Sequence, residues 1–153
     1  MSERFFPDGM PSPMADAITL PWFEAAAEHR LVVQRCASCQ HMRLPPAPVC
    51  PECRSAEADW KEISGRGEVF TYTRVHRPIA AGQDLPFVIA VIALEDAGGV
   101  RMISNLVGLA ADEVEIGMPV EVVWEDMSDQ LAIPRFRRRT SQGPSSTNAG
   151  PSE

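Results

Sequence analysis

The residues with the clearest chemical capacity in this chain are its four cysteines. They fall as two C-x2-C pairs, Cys36-Ala37-Ser38-Cys39 and Cys50-Pro51-Glu52-Cys53, ten residues apart. Each pair can bend its backbone so that both sulfurs face one point. Two pairs complete a tetrahedral thiolate shell with metal–sulfur distances of about 2.3 Å for zinc. A shell filled by four sulfurs leaves no exchangeable position, so the Zn2+ it holds is structural rather than catalytic. Three other readings of these cysteines compete with it. Two disulfides would need an oxidising compartment. A rubredoxin-like iron centre would make the protein an electron carrier, but Arg54 stands where a glycine is expected after the second knuckle. His41, two residues past Cys39, could be a ligand only if the closed site gained a fifth position.

Beyond the cysteines, catalytic machinery is sparse. His29, His41 and His76 are the only histidines, and none is spaced as a base beside a nucleophile. His29 falls at the C-terminal end of a predicted helix, where a cation is favourable. His76 falls beside Arg77 at the entry to a loop, residues 78–86, of the kind that often carries binding. Gly65-Arg66-Gly67 lacks the rest of a phosphate-cradling motif and fits a strand bend or bulge. Glu95, Asp96, Glu125 and Asp126 sit at predicted strand ends, where carboxylates are usually solvated.

The elements that must position these residues can be read from pattern. Thr19-Leu20-Pro21 looks like a helix start, with Thr19 as cap and proline in the first turn. Leu20, Phe23 and Ala27 share one face of that helix, with Trp22 and Ala26 beside it. About ten residues are marginal for an isolated helix, so the aromatic stripe must be covered by this chain's core or by another subunit. Residues 31–35 read as a strand leading into the first knuckle, and Leu44-Pro45-Pro46-Ala47-Pro48 makes the spacer extended. Strands are predicted at residues 67–77, 87–94, 100–107, 118–124 and 131–137, with Asp96-Ala97-Gly98-Gly99 as a hairpin signal. Five strands with a long, bent first one suit the OB-fold barrel. The expected organisation is a mobile arm at 1–17, helix and zinc ribbon at 18–60, OB-fold at 61–139 and a disordered polar tail at 140–153.

Charge narrows the partners. Residues 61–133 carry 5 basic and 12 acidic side chains, and Lys61 is the sole lysine. Such a surface repels a nucleic acid strand, whose nonspecific binding depends on basic side chains. No run approaches the ~20 apolar residues that span a bilayer, and the first residues lack the apolar centre of a signal peptide. A cytoplasmic protein is expected, with reduced cysteines.

The layout also resembles a known family. Trp22-Phe23-Glu24 and Arg30-Leu31-Val32-Val33-Gln34-Arg35-Cys36 are similar to the opening of zinc-ribbon/OB-fold proteins first catalogued as a domain of unknown function. Leu44-Pro45-Pro46, Gly65-Arg66-Gly67-Glu68-Val69, Tyr72-Thr73, Ile116-Gly117-Met118-Pro119-Val120-Glu121-Val122 and Arg135-Phe136 extend the match over residues 20–137. The resemblance implies a mainly β chain with one short helix, a rubredoxin-like four-cysteine ribbon and a five-stranded barrel. It further implies an accessory subunit of a thiolase, an acyl-CoA synthase or a thiolase-like aldolase. Such a subunit helps form an acyl-CoA site or joins successive enzymes such as a hydratase, within a hetero-oligomer. Trp22, Phe23, Tyr72, His76, Arg77, Pro78, Asp84, Pro86 and Phe87 are the residues expected near the partner or the CoA thioester. The alternative is a nucleic-acid module using Phe70, Tyr72 and the cluster Arg135, Arg137, Arg138 and Arg139.

Overall fold

A computed structural model describes Phe5 and residues 11–140, so most of the expected arm and all but the first residue of the expected tail lie outside the described residues. In chain order the elements are α1 (Leu20–Ala27), β1 (Val32–Cys36), β2 (Met42–Arg43), β3 (Ala58–Glu62), β4 (Arg66–Val75), β5 (Phe87–Leu94), β6 (Arg101–Leu106), a 3-10 turn (Ala111–Glu113), β7 (Pro119–Ser128) and β8 (Leu131–Arg138). They form two sheets. The ribbon is a three-stranded sheet in the order β2-β1-β3, and β4-β5-β6-β8-β7 closes into a barrel. All barrel pairs are antiparallel except β6 with β8, which meet in parallel at Leu106 and Phe136. This is the five-stranded Greek-key closure expected of an OB-fold.

One hydrophobic cluster serves both parts. Leu31, Val33 and Ile63 from the ribbon side pack with Val69, Ile92, Val120 and Phe136 of the barrel. β3 itself contributes no buried residue, so the ribbon has no core of its own beyond what β1 lends to the barrel. Lys61 and Ser64 bind Asp96 in the β5–β6 turn, which fixes the ribbon against the barrel.

The two glycines of Gly65-Arg66-Gly67 make close approach possible rather than a bulge. A Cβ on Gly67 would lie 2.5 Å from the Ala93 carbonyl oxygen across the β4–β5 ladder. Gly65 takes φ +71° against Val122. The bulge in β4 comes instead at Phe70, where the register with β5 shifts between Val69 and Thr71. The inserted residue turns the Phe70 ring outward.

α1 begins differently from expectation. Thr19 stands at the N-cap but its side chain does not cap the helix. Its hydroxyl donates instead to Asp16 Oδ1 (2.8 Å), which also accepts the N–H groups of Ile18 and Thr19. These bonds, led by the Thr19 N–H, hold the Asp16 carboxyl below its ordinary range. The helix ends in a Schellman motif: Arg30 N–H reaches the Ala25 carbonyl, His29 N–H reaches Ala26, and His29 takes φ 58°. The His29 ring leaves the helix end, stacks on Trp124 and meets Asp126 at 2.6 Å, so it ties α1 to β7 rather than capping the helix dipole.

Candidate functional site

The two knuckles are built alike. Cys36 N–H bonds the His41 carbonyl and Gln40 N–H returns to Cys36; Cys50 N–H bonds Ser55 and Arg54 N–H returns to Cys50. Each turn ends on a left-handed residue, Gln40 and Arg54, both at φ 64°. The four sulfurs lie within 4.8 Å of one another, with Cys36–Cys53 at 3.5 Å and Cys39–Cys50 at 3.6 Å. A disulfide needs about 2.05 Å, whereas sulfurs on a tetrahedron 2.3 Å from zinc sit ~3.8 Å apart. The spacing therefore fits a metal ion and rules out a disulfide between these atoms as placed.

Backbone N–H groups prepare the first sulfur of each knuckle for binding as thiolate. Those of Cys39 and then Ser38 point at Cys36 and lower its thiol to about 6. The N–H of Cys53, followed by that of Glu52, lowers Cys50 in the same way. The His41 N–H favours the Cys39 thiolate, but burial and the sulfurs of Cys53, Cys50 and Cys36 outweigh it and push that thiol up to about 12. Crowded thiols resist further ionisation, and a bound cation relieves that crowding. His41 enters only through its backbone.

Arg54 explains the missing glycine: the position needs a left-handed residue, and a non-glycine tolerates it at a cost. Its exposed side chain makes no hydrogen bond or ion pair. Arg54→Gly is therefore expected to stabilise the holo protein by up to about 1 kcal/mol. Urea denaturation at saturating zinc would check this; a loss of stability would mean the side chain matters.

A second feature lies on the outside of the barrel. β5 is apolar on both faces: Val88, Ala90, Ile92 and Leu94 point into the core, and Ile89 and Val91 point out. Beside them on β6 stand Met102 and Ile103, the latter 71% exposed. Trp22 and Phe23 of α1, in edge-to-face contact, rise over this surface. The result is two adjoining depressions. One, about 540 Å³, has Leu44, Pro45, Pro46 and Val91 in its walls; the other, about 370 Å³, runs to Ile79 and Phe87, and both share Trp22, Phe23, Met102 and Ile103. The helix stripe is thus divided. Ala25 and Ala26 are buried and Trp22 packs on the core, while Leu20 is exposed and Phe23 faces the groove.

Of the nine residues expected near a partner, Trp22, Phe23 and Phe87 come together in this groove. Asp84 and Pro86 line a separate depression of about 410 Å³ with Leu106 and Leu109, sharing Phe87. Tyr72 packs toward the core under Arg74, and His76, Arg77 and Pro78 are exposed in the β4–β5 loop and line neither apolar depression. The apolar strand at residues 87–94, with Ile89 and Val91, is expected from sequence to supply part of an interface; Met102, Ile103, Pro45 and Pro46 were missed. The signal for them was β5, whose unbroken apolar run implies cover on both faces.

Two charged residues are not where sequence placed them. Glu125 is 3% exposed and Arg135 5%, paired at 2.8 Å on the outer side of β7 and β8. Arg135 also donates to Asn105 Oδ1 (2.7 Å), and Asn105 donates to the Val88 carbonyl. Glu125 is therefore a buried partner and not a solvated strand end, because α1 and Phe5 roof this part of the barrel. Burial pulls the Arg135 guanidinium below its ordinary value, against the pull of Glu125.

The ribbon and barrel each have a counterpart among known domains. Family models described as the ChsH2 rubredoxin-like zinc ribbon domain and the ChsH2 C-terminal OB-fold domain match residues 23–58 and 60–125. A DUF35 domain-containing scaffold protein of Methanocaldococcus jannaschii is 34% identical, over 71% of this chain and 77% of that one. The chain belongs to the ChsH2/DUF35 family. A solved structure titled Ltp2-ChsH2(DUF35) aldolase is 42% identical with TM-score 0.76, covering 83% of this chain and 98% of the other. This DUF35-family chain is also 42% identical to a probable enoyl-CoA hydratase alpha subunit of Thermomonospora curvata, over 86% of its own length. A 3-oxo-4,17-pregnadiene-20-carboxyl-CoA hydratase alpha subunit of Mycobacterium tuberculosis is 37% identical over 80%. The chain spans about two fifths of the length of these two hydratase subunits (41% and 39%).

Proposed function

We propose that this chain is a non-catalytic accessory subunit of a thiolase-like enzyme, in a complex acting on acyl-CoA thioesters. The observation that carries this reading is the apolar groove under Trp22 and Phe23, an exposed surface of the kind that marks protein contact. Around it no nucleophile stands beside a base among the described residues. The names of the relatives support the setting: an Ltp2-ChsH2(DUF35) aldolase, and hydratase alpha subunits whose title implies a second kind of chain. One structural zinc per chain holds the ribbon, in a reducing, cytoplasmic setting. Among the described residues no helix is long and apolar enough to cross a membrane.

The groove supplies the contact in this account, so Ile103→Asp is expected to weaken partner binding at least about 100-fold by burying an unpaired charge. Reconstitution with the purified thiolase-like enzyme, followed by calorimetry and an acyl-CoA turnover assay, tests it. Unchanged affinity would refute the placement. The loop at residues 78–86 is assigned to the acyl-CoA side of the complex. Deleting residues 80–84 is expected to lower turnover several-fold while the complex still forms; unchanged turnover would remove that assignment. The nucleic-acid reading loses its contacts to intramolecular partners: Arg137 binds Glu121, Arg138 the Glu113 carbonyl, Arg139 Glu95, and Arg101 covers the Phe70 ring.

A further inference from the structure

A cation and a buried N–H stand at the 540 Å³ depression. Among the described residues Arg101 is the only charged one lining the 540 Å³ depression. Its guanidinium lies 3.6 Å from the centre of the Phe70 ring, which the β4 bulge turns outward, so the cation is held at the groove's rim. No carboxylate of the described residues forms an ion pair with it. The other polar group is the indole N–H of Trp22, which is buried and has no acceptor. Trp22 lines both depressions. A buried N–H without an acceptor is costly and rare. Elsewhere the described lining of this depression is apolar but for Thr19 at one side.

Resting on the accessory-subunit reading, we infer that the groove receives an apolar segment of the partner protein that carries one carboxylate for Arg101 and one exposed carbonyl for the Trp22 N–H. Charge complementarity selects this occupant. A cation in a depression whose described lining holds no anion favours a segment with a single negative charge over a neutral or basic one. The guanidinium, planar by its own delocalisation, rests over the Phe70 ring and suits a bidentate carboxylate. The unbonded indole N–H adds a directional point that a purely apolar ligand leaves unmet.

The test measures binding of the thiolase-like enzyme, recovered with the tagged full chain from its native cell, to four variants at low and at moderate salt. Arg101 is exposed, so its variants keep the fold; zinc content and circular dichroism verify this. Arg101→Ala is expected to bind about tenfold more weakly at low salt, corresponding to about 1.4 kcal/mol. Arg101→Glu falls further, Arg101→Lys recovers part of the loss, and Trp22→Phe loses several-fold with no change in salt dependence. Wild-type binding with equal affinity for Arg101→Glu overturns the proposal while leaving the accessory-subunit reading intact. Absence of binding to the wild-type chain overturns that reading and the proposal with it. Loss of 1-anilinonaphthalene-8-sulfonate binding in Arg101→Glu, without any change in enzyme binding, assigns the groove to a small apolar anion and also overturns it.

Discussion

Removing the metal with a chelator, or replacing Cys50 by alanine, is expected to unfold the ribbon and to leave a weakened barrel. The reason lies in where the apolar residues are. β2 has two residues and β3 buries none, so the ribbon sheet cannot hold itself. The metal supplies what burial does not, on the order of 10–16 kcal/mol of apparent binding energy in zinc-finger peptides. Backbone N–H groups that point at Cys36 and Cys50 are satisfied by thiolate, and lose that partner's charge when the site is dismantled. The damage does not stop at the ribbon, because Leu31 and Val33 pack into the barrel's own cluster. Hydrogen exchange should show the amides of β1 and β3 losing protection, the barrel strands keeping theirs, and the melting temperature falling by tens of degrees. Zinc should restore all three. Unchanged protection in β1 after complete metal loss would show that the knuckles fold without a cation.

The second large effect is expected from Arg135→Ala, at about 3–5 kcal/mol of lost stability. Truncation removes the guanidinium bonded to the buried Glu125 Oε2, and Asn105 loses a donor. The penalty comes from a buried carboxylate losing this bond rather than from the intact pair. Replacing both residues together, as Glu125→Leu with Arg135→Met, should therefore recover most of the loss. Urea denaturation of the two single variants and the double variant forms the cycle. A double variant as unstable as the sum of the singles would mean that the two sites act independently and that the 2.8 Å contact is worth little.

The metal centre was legible because sulfur spacing and chemistry are local: two C-x2-C pairs fold around a cation whatever surrounds them. The barrel was legible from β-formers and turn residues, including a long first strand and the hairpin at Asp96. What sequence did not disclose depends on contacts between distant elements. Glu125 looked like a solvated strand end because nothing local announces that α1 and Phe5 cover it. Thr19 looked like a cap because cap residues are recognised by type, and the competing acceptor, Asp16, wins by geometry. β2 has only two residues and β3 buries none, and both exist because β1 and the metal hold them in register. The groove was half visible, since Trp22, Phe23 and the apolar β5 were on the page, but Pro45, Pro46 and Ile103 join them only in three dimensions.

The accessory-subunit account is tested most directly by purifying the tagged chain from its native cell and identifying what accompanies it by mass. The account predicts a thiolase-like enzyme in fixed ratio, whose turnover of an acyl-CoA thioester depends on this chain being present. Recovery of the chain alone, or an acyl-CoA activity that the isolated chain performs without a partner, would contradict it.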